Sequence, residues 1–297
     1  MKQGDPISAL LFVAVMEVWF RSLKKRWNNL NFRRTGQYYG FVVDSVLDPL
    51  TNLRFADDVL LLAQSKADVV KMLRDLKDEA AKYGLAVHLG KTKILTNSNT
   101  NVASSISLSG HDVAILKQEE SERYLGRQLS LGHYHEAEFT HRLAQAWKSF
   151  AKFRKVLCSR KYPLRQRMRL FESVVTPVVL YGCECWTMGT ATLLRFRTAR
   201  RKMLRSIFRV ARSDDESWVD YIRRATVRVD EYCNKYNIKD WGRLQAESKL
   251  HYATRVFLDT EEKWNKRLLD WTPWFRTVAR RSIGRPSLRW GDAFRTG

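Results

Sequence analysis

Two adjacent carboxylates, Asp57 and Asp58, interrupt the apolar run RFADDVLLLAQS at residues 54–65. Phe55, Val59, Leu60, Leu61 and Leu62 gain from packing, whereas two neighbouring negative charges do not. Burying an unpaired carboxylate is costly, and two together repel. The pair must therefore stand exposed at a turn or hold something cationic. Mg²⁺ takes a few hard oxygen ligands together with substrate phosphates. In phosphoryl transfer such ions steady the attacking hydroxyl and the leaving phosphate. Metal-assisted phosphoryl transfer is the chemistry that Asp57 and Asp58 would serve; an ordinary polar turn is the alternative.

Two other constellations carry less. Gly90-Lys91-Thr92 has the look of a phosphate-binding Walker loop, but that motif needs a glycine where Leu85 stands, and Gly84 lies one position too early. The four cysteines, Cys158, Cys183, Cys185 and Cys233, include no C-x-x-C pair. Cys183 and Cys185 with only the distant Cys233 and His251 make a poor zinc set. No zinc is expected, and reduced thiols in an intracellular setting are.

The elements that would position these residues follow from periodicity. Leu11, Phe12, Val15, Met16, Val18, Trp19 and Leu23 recur at helical spacing from Ser8 to about Trp27, with Pro6 suiting the start. YYGFVVDSV at 38–46 is aromatic and β-branched, hence strand-like. TNLRF and VLLLAQS predict two short strands joined at Ala56-Asp57-Asp58. Residues 66–83 predict an amphipathic helix with Val69, Val70, Leu73, Leu76 and Ala80 on one side and Gly84 as its stop. LAVHLGKTKILT predicts a return to extended structure, and residues 97–130 a series of short strands. Beyond Gly132 helical patterns dominate, at about 134–158, 164–181, 190–211, 217–235, 240–258 and 261–270. Trp147, Phe150, Phe153, Trp186, Phe196 and Phe208 are expected to form the core of this helical bundle.

The 297 residues include 53 Lys and Arg against 31 Asp and Glu, a formal charge of +22. That excess calls for a polyanionic partner, nucleic acid before an anionic membrane surface. The basic stretch LLRFRTARRKMLRSIFRV makes Arg195, Arg197, Arg200 and Arg201 the candidate phosphate contacts. No apolar run reaches the roughly 18–20 residues of a membrane span, so no membrane partner is expected.

QGDPIS before a helix, FADD about 50 residues on, then GLAVHLGKTKIL and RYLG, form an ordered series. The series resembles the palm of a reverse transcriptase, in particular of the LINE-type, non-LTR retrotransposon class. VVLYGCECWTM and GRPSLRWGDAFRTG also resemble C-terminal segments of such elements. The resemblance implies an α+β fold: a partial palm of antiparallel strands with helices over residues 1–96, a β-rich connection like a primer grip over 97–132, and a basic helical thumb and C-terminal region over 133–297. It implies RNA-directed DNA polymerisation, with an RNA template, a DNA primer, deoxynucleoside triphosphates and Mg²⁺ or Mn²⁺. Asp57 and Asp58 would be the metal ligands. Gln3, Gly4, Pro6 and Ser8 would shape the loop against template, primer and nucleotide. Phe55 and Ala56 would floor the primer end, Lys91 would lie near the triphosphate, and Tyr124 and Gly126 would support the primer strand.

The family's third carboxylate and its fingers lie upstream of QGDPIS; Asp5 and Asp44 do not match that strand. Ala9 replaces a usual proline and His88 a usual asparagine. The expectation is a polymerase fragment, inactive or nearly so as this chain, with a non-catalytic nucleic-acid-binding remnant as the other reading. Its setting would be intracellular, and nuclear when part of a retrotransposon particle.

Overall fold

A computed structural model describes residues 6–28, 39–43, 48–98, 104–132, 135–261, 263–269 and 290–291. The chain is an α+β protein that divides into two compact units, Met1–Gly126 with Ser130–Gly132, and Arg127–Leu129 with His133–Gly297.

In the first unit, helix α1 (Pro6–Trp27) buries Met16, Trp19, Phe20, Leu23 and Trp27, the i, i+3, i+4, i+7, i+11 stripe of one helical face. Helix α2 (Lys66–Ala81) starts where the Ser65 hydroxyl accepts a hydrogen bond from the Asp68 amide at 3.1 Å. It stops before Gly84, whose φ of +70° suits glycine. One side of α2, with Met72, Leu76 and Ala80, joins the α1 stripe in one core. The other side, with Leu73, packs on Leu89, Ile106, Leu108, Val113 and Ile115. Polar contacts lock the helix pair: the Trp27 indole donates to Asp75 at 3.0 Å, and Arg26 reaches both Asp75 and Glu79 at 3.3 Å.

The strands are short. β1 (Asn52–Phe55) and β2 (Asp58–Leu61) form an antiparallel hairpin. β4 (Ser105–Leu108) and β5 (His111–Leu116) form another, turned by Ser109 and Gly110 at φ +51° and +78°. β3 (Lys93–Leu95) lies parallel to β5, giving a sheet of order β3-β5-β4. Alternation along β4 and β5 sends Ile106, Leu108, Val113 and Ile115 inward against α2. β6 (Glu122–Tyr124) ends this unit's strands. Two expectations change. Of 38–46, residues 39–43 are described and make only an isolated bridge, Phe41 to Leu50; the remainder lies outside the described residues. LAVHLGKTKILT is extended only at Lys93–Leu95, because Leu89–Lys91 closes a 3₁₀ turn with the Thr92 hydroxyl donating to the His88 carbonyl at 3.1 Å.

Glu79 is 4% exposed, and the Lys82 ammonium at 2.8 Å, aided by Arg26, holds its carboxyl below the ordinary value of 4.5. A depressed carboxyl stabilises the fold above the ordinary value and loses that contribution as pH falls through the lowered one. Glu79→Gln is therefore expected to flatten the acid limb of the stability–pH curve of this unit. Parallel curves for both proteins in urea titrations from pH 7 to 3 would contradict the assignment.

The second unit opens with β7 (Arg127–Leu129) and is otherwise helical. Its elements are α3 (Glu136–Leu157), α4 (Leu164–Val174), α5 (Thr176–Val179), α6 (Thr190–Phe208), α7 (Trp218–Lys235), α8 (Trp241–Leu258) and the short α9 (Trp264–Arg267). The expected helix 164–181 is broken at Val175, because Pro177 has no N–H to donate and sits in the first turn of α5. The core gathers Phe139, Phe150, Leu157, Phe171, Trp186, Phe196, Met203, Leu204, Val229 and Trp241. Phe139, Trp186 and Phe196 meet edge to face, with centroids 5.3, 5.7 and 5.8 Å apart. Phe153 and Phe208 flank this core half-buried, and Trp147 is 37% exposed.

Several cations are internal. Arg167 donates to the carbonyls of Leu157 at 3.0 Å, Ile207 at 2.8 Å and Tyr162 at 3.2 Å, so the carboxyl ends of α3 and α6 converge on one guanidinium. Glu138, fully buried, accepts from Arg142 and from the Gln128 amide, both at 2.7 Å. Lys249 donates to the Trp186 carbonyl at 3.2 Å. No helix among the described residues is long and apolar enough to cross a membrane.

Candidate active site

The hairpin that carries the carboxylate pair is fixed at its base and free at its tip. Asn52 faces Leu61, Leu53 faces Leu60, Arg54 faces Val59 and Phe55 faces Asp58, leaving Ala56 and Asp57 as the two loop residues. Ala56 has φ +52°, in the left-handed region, and Asp57 does not share the positive sign. That position favours glycine, so an alanine there holds strain of the kind found at functional sites. At the base, Arg54 pairs with Glu17 of α1 at 2.9 Å and lies 4.5 Å over the Phe20 ring. Glu17 also accepts from Arg21, and these two guanidiniums hold its carboxyl below the usual range. Val59 and Leu61 pack into the α1–α2 core.

Beyond that clamp Phe55, Ala56, Asp57 and Asp58 are exposed, Phe55 by 65%. Among the described residues neither Asp57 nor Asp58 makes an ion pair. Nor do they join a third His, Cys, Asp or Glu in a cluster able to hold a metal. What the tip offers is two adjacent, exposed hard-oxygen donors, a set that suits a divalent cation with its other positions filled by water and phosphate.

Tyr124 ends β6, and its phenol feels the charge of this tip. Burial first, and the negative charge of Asp58 second, push its phenol above the ordinary value of 10.0. The turn after it, Leu125 and Gly126 at φ +48° and +77°, has the paired positive angles of a type I′ turn. Lys91 is exposed at the end of its 3₁₀ turn and forms no ion pair with the hairpin. Pro6 begins α1 and Ser8 is half-buried in its first turn, while Gln3 and Gly4 lie outside the described residues. The structure thus brings together Phe55, Ala56, Asp57 and Asp58 on the hairpin tip, with the Tyr124 phenol in the field of Asp58.

The four arginines of α6 do not share one surface. Arg195 turns to α3, where it pairs with Glu136 and donates to the Thr140 hydroxyl at 3.2 Å. Arg200 is 5% exposed and donates to the carbonyls of Ile238 at 3.1 Å and Lys239 at 2.8 Å. Arg197 and Arg201 reach Asp240 at 3.4 Å and Asp230 at 3.3 Å. Together with Lys239 and Arg243 they line a cavity of about 450 Å³. Lys239, Asp240 and Arg243 carry no sequence signal for this role. They join the arginines only because α7 ends in a Schellman turn, with Asn237 at φ +51°, its amide donating to Asn234 at 3.2 Å and that of Ile238 to Cys233 at 2.8 Å.

Residues 1–129 match the family model described as reverse transcriptase (RNA-dependent DNA polymerase). A transposon-derived protein of Caenorhabditis elegans is 28% identical over 246 residues, which cover 83% of this chain and 84% of that protein. No solved structure matches. The first 129 residues are therefore similar to a reverse transcriptase domain, and most of the chain to a transposon-derived protein.

Proposed function

We propose that this chain is part of the RNA-directed DNA polymerase of a LINE-type, non-LTR retrotransposon, with Asp57 and Asp58 as its hairpin carboxylates. The observation that carries the reading is the tip itself: two exposed carboxylates, without ion pairs among the described residues, on a strained turn clamped to α1, with the Tyr124 phenol in the field of Asp58. Asp57 and Asp58 would hold Mg²⁺ or Mn²⁺, whose chemistry there is to offset charge on the primer hydroxyl and the nucleotide phosphates. Phe55 offers an exposed aromatic face beside the carboxylates for the primer end. Tyr124 and Gly126 would support the primer strand, and Lys91 would balance charge on the triphosphate. The setting proposed is nuclear or nucleus-associated. The resemblance assigns a third carboxylate to another strand, so primer extension by this chain alone is expected to be weak or absent.

Mn²⁺ binding tests the site without relying on turnover. Water-proton relaxation of the full chain is expected to report bound Mn²⁺. Asp57→Asn with Asp58→Asn should weaken that binding by about tenfold or more, a change of about 1.4 kcal/mol. Equal Mn²⁺ affinity in the double variant would overturn the metal assignment. Robust primer extension by the unmodified chain, abolished by Asp57→Ala, would overturn the expected inactivity.

The basic cavity of the second unit favours a second reading, nucleic-acid binding that does not need the carboxylates. It calls for RNA affinity that falls with salt and is indifferent to Asp57→Ala.

A further inference from the structure

We infer that the cavity between α6, the end of α7 and the start of α8 is a discrete site for a backbone phosphate of a nucleic acid. The inference deepens the nucleic-acid-binding reading and locates it on a few residues of the second unit. Five cations, Arg197, Arg200, Arg201, Lys239 and Arg243, line the cavity with two carboxylates, Asp230 and Asp240. A third carboxylate, Glu247 of α8, pairs with Lys239 at 2.8 Å and Arg243 at 3.0 Å, so Arg197, Arg200 and Arg201 carry the excess. The carboxylates do not use up the guanidiniums. Asp240 already accepts from the Gly242 amide at 3.0 Å as the cap of α8, and it lies 3.4 Å from Arg197 and 4.0 Å from Arg200. Asp230 stands 3.3 Å from Arg201. These separations exceed the roughly 2.7–2.9 Å of a strong charge-assisted bond. Each guanidinium has five N–H groups, and Arg197 and Arg201 each spend one on a described acceptor.

The wall is built as well as charged. Arg200 is held in place through the Ile238 and Lys239 carbonyls, yet its buried Nε has no acceptor among the described residues. Arg200 thus adds a fixed, desolvated positive charge to the cavity wall, which favours an anion in the cavity. The cavity also lies at the amino end of the 18-residue α8, where the helix dipole adds positive potential. Arg197 and Arg201 have side chains 51% and 36% exposed, so they join the buried wall to the outer surface. A volume of about 450 Å³ accommodates a sugar-phosphate unit, and the formal charge of +22 provides the long-range attraction a polyanion needs.

The test uses the full chain, a fluorescently labelled 12-nucleotide oligouridine and, separately, inorganic phosphate. Arg197→Gln with Arg201→Gln is expected to weaken oligouridine binding about tenfold. It should also make the slope of log K against log salt shallower by roughly 0.7 for each phosphate that the variant no longer neutralises. Arg195→Gln, on the α3 side of the same helix, should leave both within twofold. Melting temperatures of the variants separate weakened binding from impaired folding, and Arg197→Lys with Arg201→Lys should restore the salt slope. Unchanged affinity and slope in the double glutamine variant would overturn the site while leaving RNA binding elsewhere intact. No RNA binding at all would overturn both the site and the reading it rests on. Arginine-dependent stabilisation by millimolar phosphate, with RNA affinity untouched, would assign the cavity to a free anion instead.

Discussion

Replacing Arg167 with methionine is expected to destabilise the helical unit by about 2–4 kcal/mol. Methionine keeps much of the volume and removes every donor. Three carbonyls, of Leu157, Tyr162 and Ile207, then lose their partner inside the fold. Each buried acceptor left unsatisfied costs about 1–3 kcal/mol, and partial hydration recovers some of it. Two helix carboxyl ends would also face one another without the cation between them. Burial already lowers the pKa of Arg167, as desolvation of a charge must, but a guanidinium stays protonated. Arg167→Lys should fall between the two, because one ammonium cannot span the acceptors that Nε and Nη1 reach in separate directions. Urea midpoints at constant m-value measure the loss. A cost under about 1 kcal/mol for the methionine variant would mean that water takes over the carbonyls.

Phe196→Ala is expected to cost about 3–5 kcal/mol, the range for emptying a well-packed aromatic site. Phe196 is 1% exposed and stands edge-on to both Phe139 and Trp186. Its removal leaves a cavity and deletes two aromatic pairs worth about 0.5–1.5 kcal/mol each. Because α3 and the segment before α6 both lean on it, the loss should appear as lower global stability, with the near-ultraviolet Trp signal weakened before unfolding. Trp147→Ala, at a residue 37% exposed, is the contrast and should cost much less. Similar losses for the two would show that the Phe139–Trp186–Phe196 cluster is not central to the core.

The helices were legible because a 3.6-residue period survives in any sequence that buries one face. Expected spans such as 190–211 and 217–235 differ from Thr190–Phe208 and Trp218–Lys235 by a few residues at most. α6 ends early because Arg209 takes φ +55°, an angle the sequence does not announce at an arginine. The carboxylate hairpin was legible for a local reason: two short strand-like runs flank Ala56-Asp57-Asp58, of which Asp58 proves to be the first residue of β2. What stayed hidden depends on residues far apart in the chain. Whether an arginine faces solvent or an interior carbonyl depends on partners such as Ile207, 40 residues from Arg167, or Ile238, 38 from Arg200. The basic cavity needs α6 and the α7–α8 turn together, so the sequence nominated four arginines of α6 without showing that Arg195 turns to α3 or that Lys239 and Arg243 join the others.

The pair Cys183 and Cys185 is chemically asymmetric. Burial drives the Cys183 thiol up to about 11, while Cys185, two residues away, is exposed. Cys233 is buried with its thiol also raised, and Cys158 is half-covered. A mild maleimide treatment at neutral pH should therefore mark Cys185 first. A dye placed there would report on the helical unit from the segment before α6, without an engineered residue. The same thiol makes storage under air a route to disulfide-linked dimers, which a reductant would return to single chains.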